Sequence, residues 1–231
     1  MSTSTSDTPT TFDRSAAITR SMLGWGVVAG PFYLVVGLAL ALTRPGFDLG
    51  RHALSLLMLG EWGWLQRANL AIAGVMTIVA ALGMIRAIRN GRGLALGVLT
   101  SVYGGALVLS AVFAPDPMGG FPAGEADGTA SLSGILHLVF GAVGFAAVAA
   151  AAFAYAGWSR RVRAPKRAAL GIVLGVVVLA GFFGGAALST SAAGVGLLWL
   201  AVVAAWTWLA VASAHVYTKA PHPLGSSRAA R

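Results

Sequence analysis

The sequence predicts an all-α integral membrane protein built as a six-helix transmembrane bundle. Hydrophobic residues make up 57% of the 231 positions and charged residues only 10%, which leaves too little polar surface for a water-soluble globule. Six apolar stretches each approach the ~20 residues that a helix needs to cross ~30 Å of hydrocarbon. Lys and Arg lie almost entirely in the connections between these stretches. Together these features identify a polytopic membrane protein.

The six apolar stretches lie at 21–42, 68–85, 94–113, 131–157, 169–189 and 196–217. We expect helices, because only a helix pairs every backbone N–H and C=O within its own segment and the stretches are longer than spanning strands. Residues 21–217 therefore form one transmembrane domain. Residues 1–20 are rich in Ser and Thr and predict a disordered cytoplasmic N-terminus. Residues 218–231 predict a cytoplasmic tail.

The distribution of cations predicts that both termini face the cytoplasm. One side of the predicted bundle carries thirteen Lys and Arg residues, whereas the other carries only Arg44, Arg51 and Arg67. Because cytoplasmic loops hold the excess of Lys and Arg, the first side is the inner one. The formal charge of +9 then reflects topology and contact with anionic lipid, so no nucleic-acid partner is expected. The predicted location is the inner, or plasma, membrane.

No cofactor and no metal site are predicted. The chain has no cysteine, which excludes disulfides, iron–sulfur clusters and thiolate ligands. It also carries no nucleotide-binding or dinucleotide-binding fingerprint. Glycines at four-residue spacing predict close contacts between helices of the same bundle; these pairs are Gly26 with Gly30, Gly171 with Gly175, and Gly181 with Gly185.

The first outer loop is more than a linker. Its apolar run at 53–59 is too short to span a bilayer and is flanked by charge and tryptophan, so we expect an interfacial segment. If this segment is helical, Asp48, His52 and Ser55 fall on one face and Asp48 caps its N-terminus. These residue types match a carboxylate, a base and a nucleophile. A capping Asp, an interfacial His and a backbone-bonded Ser are the structural alternative.

The second outer loop and the start of the fourth span hold the other candidates. Pro115 and Pro117 bracket Asp116 and fix its backbone, so its carboxylate is expected to bind a cation or Arg51, or else to remain solvated at a helix end. His137 precedes Gly141 and Gly144 on one helix face. An ionisable group inside the membrane on a packed face is a candidate functional site. The alternative is an imidazole bonded to a backbone carbonyl or to a polar neighbour.

Two segments resemble the signatures of a known family. The first segment contains Asp48, Arg51, His52, Ser55, Gly60, Trp64, Gln66, Asn69 and Gly74. The second contains Phe113, Asp116, Pro117, Gly119, Phe121, Pro122, Gly134 and His137. With these residues the chain is similar to the bacterial six-span family catalogued as domain of unknown function 998, over residues 21–217. The resemblance implies an integral membrane fold and brings no established activity. Ser133 stands where related members often have a second histidine, which weakens a two-histidine metal site.

Several functions remain open on the sequence. We favour a protein that binds or moves a lipid or small solute through an outer-facing polar vestibule; its ligand-binding candidates are Asp48, Arg51, His52, Asp116 and His137. The expected partners are membrane lipids and a small-molecule or lipid ligand. The oligomeric state is left open.

The alternatives use the same residues. In a membrane-embedded hydrolase, His52 or His137 would activate Ser55 or a metal-bound water and Asp116 would orient the base. In a haem protein, His52 and His137 would be the axial ligands. A last alternative is a structural network with no ligand, which ties the first outer loop to the ends of the third and fourth spans.

Overall fold

The computed structural model describes residues 12–125 and 127–224, and within them the long elements are all helices. The six long helices are Arg14–Thr43 (α1), Gly63–Ala87 (α2), Gly91–Val112 (α3), Leu132–Arg161 (α4), Pro165–Ala187 (α5) and Ala192–Lys219 (α6). A short 3₁₀ helix, Leu54–Met58, lies between α1 and α2. Each of the six long helices is long and apolar enough to cross a membrane, which confirms the six spans.

Side-chain caps define where four of the helices begin. The carboxylate of Asp13 accepts a hydrogen bond from the backbone N–H of Ala16 at 3.0 Å and caps α1. Asn90, Ser131 and Ser191 cap α3, α4 and α6 in the same way. The first N–H groups of a helix have no partner within it, so each cap satisfies a donor that burial would otherwise leave unpaired.

The start of α1 differs from the prediction for the N-terminal segment. Residues 14–20 are helical, although the sequence predicted disorder up to residue 20. The Asp13 cap begins the helix, and Arg20 holds it against the end of α6: its guanidinium donates to the carbonyl of Ala220 at 3.1 Å and lies 3.9 Å above the Tyr217 ring. At the other end of the chain, α6 continues to Lys219. Residues 1–11 and 225–231 of the predicted termini lie outside the described residues.

The helices form a ring in chain order. Each of α2 to α5 packs mainly on the helices that precede and follow it, and α6 closes the ring against α1. The short connections α2–α3, α4–α5 and α5–α6 favour this antiparallel arrangement. The ring is close-packed in one half and encloses a cavity in the other.

Glycines set the distance between neighbouring helices. A Cβ on Gly30 would lie 2.8 Å from Cβ of Trp206 on α6, and one on Gly185 would lie 2.8 Å from the carbonyl oxygen of Gly194. Such spacing is closer than a methyl group permits, so the backbones approach because no side chain separates them. The predicted packing within the bundle is confirmed for all three pairs: Gly26 with Gly30, Gly171 with Gly175, and Gly181 with Gly185.

The two ends of the ring differ in charge. One end, here called the acidic end, is formed by the α1–α2, α3–α4 and α5–α6 connections at 44–62, 113–131 and 188–191, which contain all the described carboxylates except Asp13. The other end, here called the arginine end, is formed by the connections at 88–90 and 162–164 and by the flanking ends of α1 and α6. Most of the Lys and Arg residues lie at the arginine end.

Candidate functional site

His52 joins the two long connections of the acidic end. Its Nδ1 accepts a hydrogen bond from the backbone N–H of Asp48 at 2.9 Å, and Nε2 lies 3.0 Å from the carbonyl oxygen of Gly119. Since Nδ1 accepts, Nε2 must carry the proton and donate to that carbonyl. The ring is 3% exposed and packs against the rings of Phe47 and Phe121, with centroids 5.3 and 5.5 Å away. Both ring nitrogens are therefore engaged by backbone.

Arg44 contacts both of the long connections at the acidic end. Its Nη2 donates to the carbonyl of Leu59 at 2.6 Å, and its guanidinium carbon lies 5.6 Å from the centre of the Phe121 ring. Phe121 itself is 1% exposed. A charge-assisted hydrogen bond and a cation–π contact thus hold the α3–α4 connection over the α1–α2 connection.

Asp116 holds the start of α4. Its two carboxylate oxygens accept hydrogen bonds from the hydroxyl and the backbone N–H of Ser131, at 2.5 and 3.1 Å. These bonds stabilise the charged form and hold the pKa of Asp116 below its usual range. Asp116 therefore bonds to the α4 cap, and within the described residues it makes no ion pair with Arg51.

His137 is fixed by the end of α3. Its Nδ1 lies 2.8 Å from the carbonyl oxygen of Phe113 and 3.2 Å from that of Ser110. Both oxygens are acceptors, so Nδ1 carries a proton and Nε2 of the neutral ring is left with a free lone pair. Of the two alternatives that the sequence left for this histidine, the structure shows bonding to backbone carbonyls on a packed face.

A cavity of about 590 Å³ lies inside the ring, in the half next to the acidic end. All six long helices and the 3₁₀ helix contribute to its wall, which is mostly apolar. Its polar wall residues are Tyr33, Ser55, Gln66, Tyr103, Ser110, Asp116, Asp127, His137, Ser189, Thr190 and Trp199. A volume of this size, with a few polar groups in an apolar wall, is typical of sites for small molecules.

Aromatic rings form the floor of the cavity. The Trp206 ring on α6 lies 5.2 Å from Tyr33 on α1 and 5.8 Å from Tyr103 on α3. Phe145 on α4 continues this layer from Tyr103 and stacks on Phe182 of α5 at 4.3 Å. The rings thus connect five of the six long helices. They separate the cavity from the close-packed core on the side of the arginine end.

A buried polar chain supports the floor on the α2 side. Gln66 is fully buried and donates to the hydroxyl of Tyr33 at 3.3 Å. Asn69 donates to the Gln66 side chain at 3.0 Å and to the Tyr33 carbonyl at 3.1 Å. These bonds fix the Tyr33 ring in place, because each buried polar group is costly to leave unpaired.

The structure places the predicted site residues in three locations. Asp116, His137 and Ser55 line the cavity. Asp48 and His52 lie in the layer formed by the two connections and do not line it. Arg51 lines a neighbouring recess of about 160 Å³, which it shares with Asp127 and the 189–192 segment. Some of the residues predicted for the vestibule therefore line the cavity, and others lie in the layer that covers it.

The first connection does not form the continuous helix that would place Asp48, His52 and Ser55 on one face. Residues 48–52 form turns, and only 54–58 is helical, as a 3₁₀ turn. Leu54, Leu56, Leu57 and Met58 are each at most 5% exposed. The apolar run is thus covered by α1 and α2 on the faces that contact those helices, and the interfacial position expected for this segment stays a prediction.

The described residues do not form the contacts that the hydrolase and haem alternatives require. His137 is oriented by carbonyls and not by Asp116, and Ser55 makes no hydrogen bond to a histidine in the described part of the chain. His52 has no free ring nitrogen for a proton or a haem iron. His215 lies at the arginine end, where its Nδ1 is 2.8 Å from the Tyr155 hydroxyl, far along the sequence and the bundle from the cavity.

The family comparison decides how this arrangement is classified. A model described as "Protein of unknown function (DUF998)" matches residues 27–215, which include most of α1, the whole of α2 to α5 and most of α6. The chain belongs to the DUF998 family. Neither the curated proteins nor the solved structures provide a match to it.

The two DUF998 signature segments meet at the acidic end. His52 of the first segment bonds to Gly119 of the second, and Phe121 of the second packs on Phe47. Gln66 of the first segment and His137 of the second face the same cavity. The residues that carried the family resemblance therefore build one structural unit, the cavity and its cover.

The sequence did not identify several wall residues of the DUF998 cavity. Tyr33, Gln66 and Tyr103 were not among the site candidates, although Gln66 belongs to a signature. A polar residue in the middle of an apolar helix is the signal that was available for Tyr33 and Tyr103. Asp127 lies in the second connection, where nothing in the local sequence distinguishes it from a solvated acid.

Proposed function

We propose that this membrane protein binds a lipid or another small molecule with an apolar body in the cavity next to the acidic end. The observation that carries the proposal is the cavity itself: about 590 Å³, with walls from all six helices, mostly apolar and with a few converging polar groups. A purely structural role would fill this space with side chains, because protein interiors are normally packed without large voids.

The cover above the cavity supports the same function. The hydrogen bond of His52 to the Gly119 carbonyl and the cation–π contact of Arg44 with Phe121 hold the two connections together, so the covering layer has a defined structure. A rigid wall reduces the ordering cost of binding. Transport across the membrane would further require a path through the half of the ring near the arginine end. The aromatic floor closes that path in this conformation.

We also propose that the protein lies in the cell membrane with the arginine end and both termini in the cytoplasm. The support is the excess of Lys and Arg at the arginine end together with the carboxylates at the other. In this orientation the cavity is next to the outer surface. The ligand then comes from the outer leaflet or from the space outside the cell.

A cavity-filling variant tests the binding function. Gly141 lines the cavity, and a Cβ there meets only the Phe182 ring, at 3.5 Å. Gly141→Leu therefore extends into the cavity with no backbone clash. Its matched control is Gly105→Leu on α3, at a site that does not line the cavity and has nothing within 4 Å of a Cβ.

The measurement is the set of lipids and small molecules that remain bound to the purified protein, analysed by native mass spectrometry. We expect a bound species on the wild type and on Gly105→Leu, reduced at least tenfold on Gly141→Leu. Equal occupancy of all three proteins would contradict binding in this cavity and would favour the structural alternative.

A further inference from the structure

Several polar groups of the cavity wall have no protein partner among the described residues, including Nε2 of His137, the hydroxyl of Tyr103 and the indole N–H of Trp199. His137 is 9% exposed, and its Nε2 makes no hydrogen bond within the described residues, because Nδ1 alone meets the carbonyls of α3. Tyr103 is 1% exposed, lines the floor, and its hydroxyl likewise makes no hydrogen bond there. Buried polar groups are nearly always paired. An unpaired acceptor at the wall of a cavity therefore indicates a ligand group that donates to it.

The charges around the cavity exclude an anionic head group. Asp116 and Asp127 line its outer part, and no Lys or Arg of the described chain lines it. Arg51 faces the neighbouring recess instead. The hydrogen bonds from Ser131 lower the pKa of Asp116, which keeps this carboxylate charged at neutral pH. A phosphate or carboxylate brought beside it would be repelled with no cation in the wall to compensate.

A buried ammonium group is also disfavoured. Both oxygens of Asp116 already accept hydrogen bonds from Ser131, and the groups nearest His137 Nδ1 are neutral carbonyls. An ammonium group that enters the apolar part of the cavity would lose its hydration and would leave behind both carboxylates, which line the outer part. A hydroxyl group meets the same acceptor at much lower desolvation cost.

The cavity opens sideways between α4 and α5. Towards the arginine end these helices pack closely, since a Cβ on Gly171 would lie 3.0 Å from the carbonyl oxygen of Ala152. Near the acidic end their facing residues, Leu138 and Ala186, line the cavity and are also exposed, Leu138 by 62%. Residues that face both the cavity and the outside mark an opening on the lipid-facing side of the ring.

We propose that the ligand is an uncharged membrane lipid with a hydroxyl head group, of the diacylglycerol type, whose hydroxyl donates to Nε2 of His137 and whose chains leave the cavity between α4 and α5. This inference rests on the proposed binding function. The cavity of about 590 Å³ is within the range of small-molecule sites and smaller than a complete two-chain lipid. Part of each chain therefore stays in the bilayer, as the side opening permits.

A competition between two lipids with identical chains tests the head group. Purified protein is equilibrated in mixed micelles with equal amounts of dioleoylglycerol and dioleoylphosphatidate, which differ by the phosphate alone, and bound lipid is counted by native mass spectrometry. Only the binding that Gly141→Leu removes is counted, because phosphatidate also adheres to the arginine end. We expect at least a tenfold preference for dioleoylglycerol. Equal binding, or a preference for phosphatidate, overturns the inference.

Three variants test the acceptor and the opening. His137→Phe keeps a ring but removes the acceptor, so dioleoylglycerol binding should fall about fivefold or more, although the carboxylates that repel phosphatidate remain; if this variant does not fold, the wild-type competition still decides. Ala186→Phe narrows the opening, whereas Ala187→Phe changes an exposed neighbour that does not line the cavity. We expect dioleoylglycerol binding to fall at least fivefold in the first and to stay within twofold in the second. Equal binding of dioleoylglycerol by Ala186→Phe and Ala187→Phe refutes the side opening.

The outcomes separate the two proposals. If Gly141→Leu removes a bound species that is anionic or water-soluble, the binding function stands and the uncharged-lipid inference fails. If Gly141→Leu removes nothing, both fail.

Discussion

At the scale of single residues, His52 is a structural residue whose contribution can be measured. It connects the Asp48 N–H to the Gly119 carbonyl and lies between the rings of Phe47 and Phe121. Two hydrogen bonds at about 1 kcal/mol each, together with ring contacts worth about 1 kcal/mol, give a total of about 3 kcal/mol. We expect His52→Ala to lower the free energy of unfolding by about that amount.

The measurement is unfolding by denaturant in detergent, monitored by the fluorescence of the tryptophans near the acidic end. The control is His222→Ala, since that ring is exposed and its Nδ1 accepts only from the backbone N–H of Leu224. We expect the control to change stability by less than about 0.5 kcal/mol. A His52→Ala protein as stable as the control would show that the two connections do not depend on this ring.

The same residue shows what sequence reasoning can reach. His52 and His137 were both selected from the sequence as ionisable groups at or inside the membrane, and both are in fact nearly buried. Their roles were not predictable, because the acceptors that orient them are backbone carbonyls of distant segments, Gly119 and Phe113. Backbone carbonyls are the same at every position and leave no mark in the sequence.

At the scale of helices, glycine contacts determine how closely α2 and α3 approach. Gly74 and Gly104 face each other, and a Cβ on either would lie 2.7 Å from the carbonyl oxygen of the other. We expect Gly104→Ala to force the helices apart and to lower the free energy of unfolding by about 1–3 kcal/mol. Gly105, the next residue, has nothing within 4 Å of a Cβ.

The adjacent glycine therefore provides the matched control. Gly105→Ala changes the same atoms on the same helix but meets no neighbour, so we expect no loss, and up to about 1 kcal/mol of gain from the better helix propensity of alanine. Thermal unfolding in detergent compares the two variants directly. Equal stability of the two alanine proteins would contradict the close approach of α2 and α3.

The helices were largely predictable from the sequence, whereas the connections were not. Each apolar stretch became a helix, and all three glycine pairs pack inside the bundle, because hydropathy and small-residue spacing act locally. The start of α1 was missed because the Asp13 cap lies in a polar segment without an apolar pattern. The burial of the 54–58 run was not predicted, because it depends on packing against α1 and α2, which a local apolar pattern does not specify.

At the scale of the whole molecule, the ring order explains why one half contains a cavity. Gly171 brings α4 and α5 together towards the arginine end, whereas the stacked rings of Phe145 and Phe182 lie between the same two helices nearer the acidic end. The acidic-end connections then cover the widened half. The cavity and the close-packed core thus lie in different halves of one bundle, with the aromatic floor between them.

The orientation of this bundle in the membrane can be tested without altering its charge. The chain has no cysteine, so single cysteines are unique targets for a thiol reagent that does not cross membranes. Gly91 at the arginine end is exposed with nothing within 4 Å of a Cβ, and Ala123 at the acidic end is also exposed. Because Lys and Arg remain on the cytoplasmic side, we expect Ala123→Cys to be labelled in intact cells and Gly91→Cys only after the cells are permeabilised. Labelling of Gly91→Cys in intact cells, with Ala123→Cys protected, would reverse the orientation and place the cavity in the half of the bundle next to the cytoplasm.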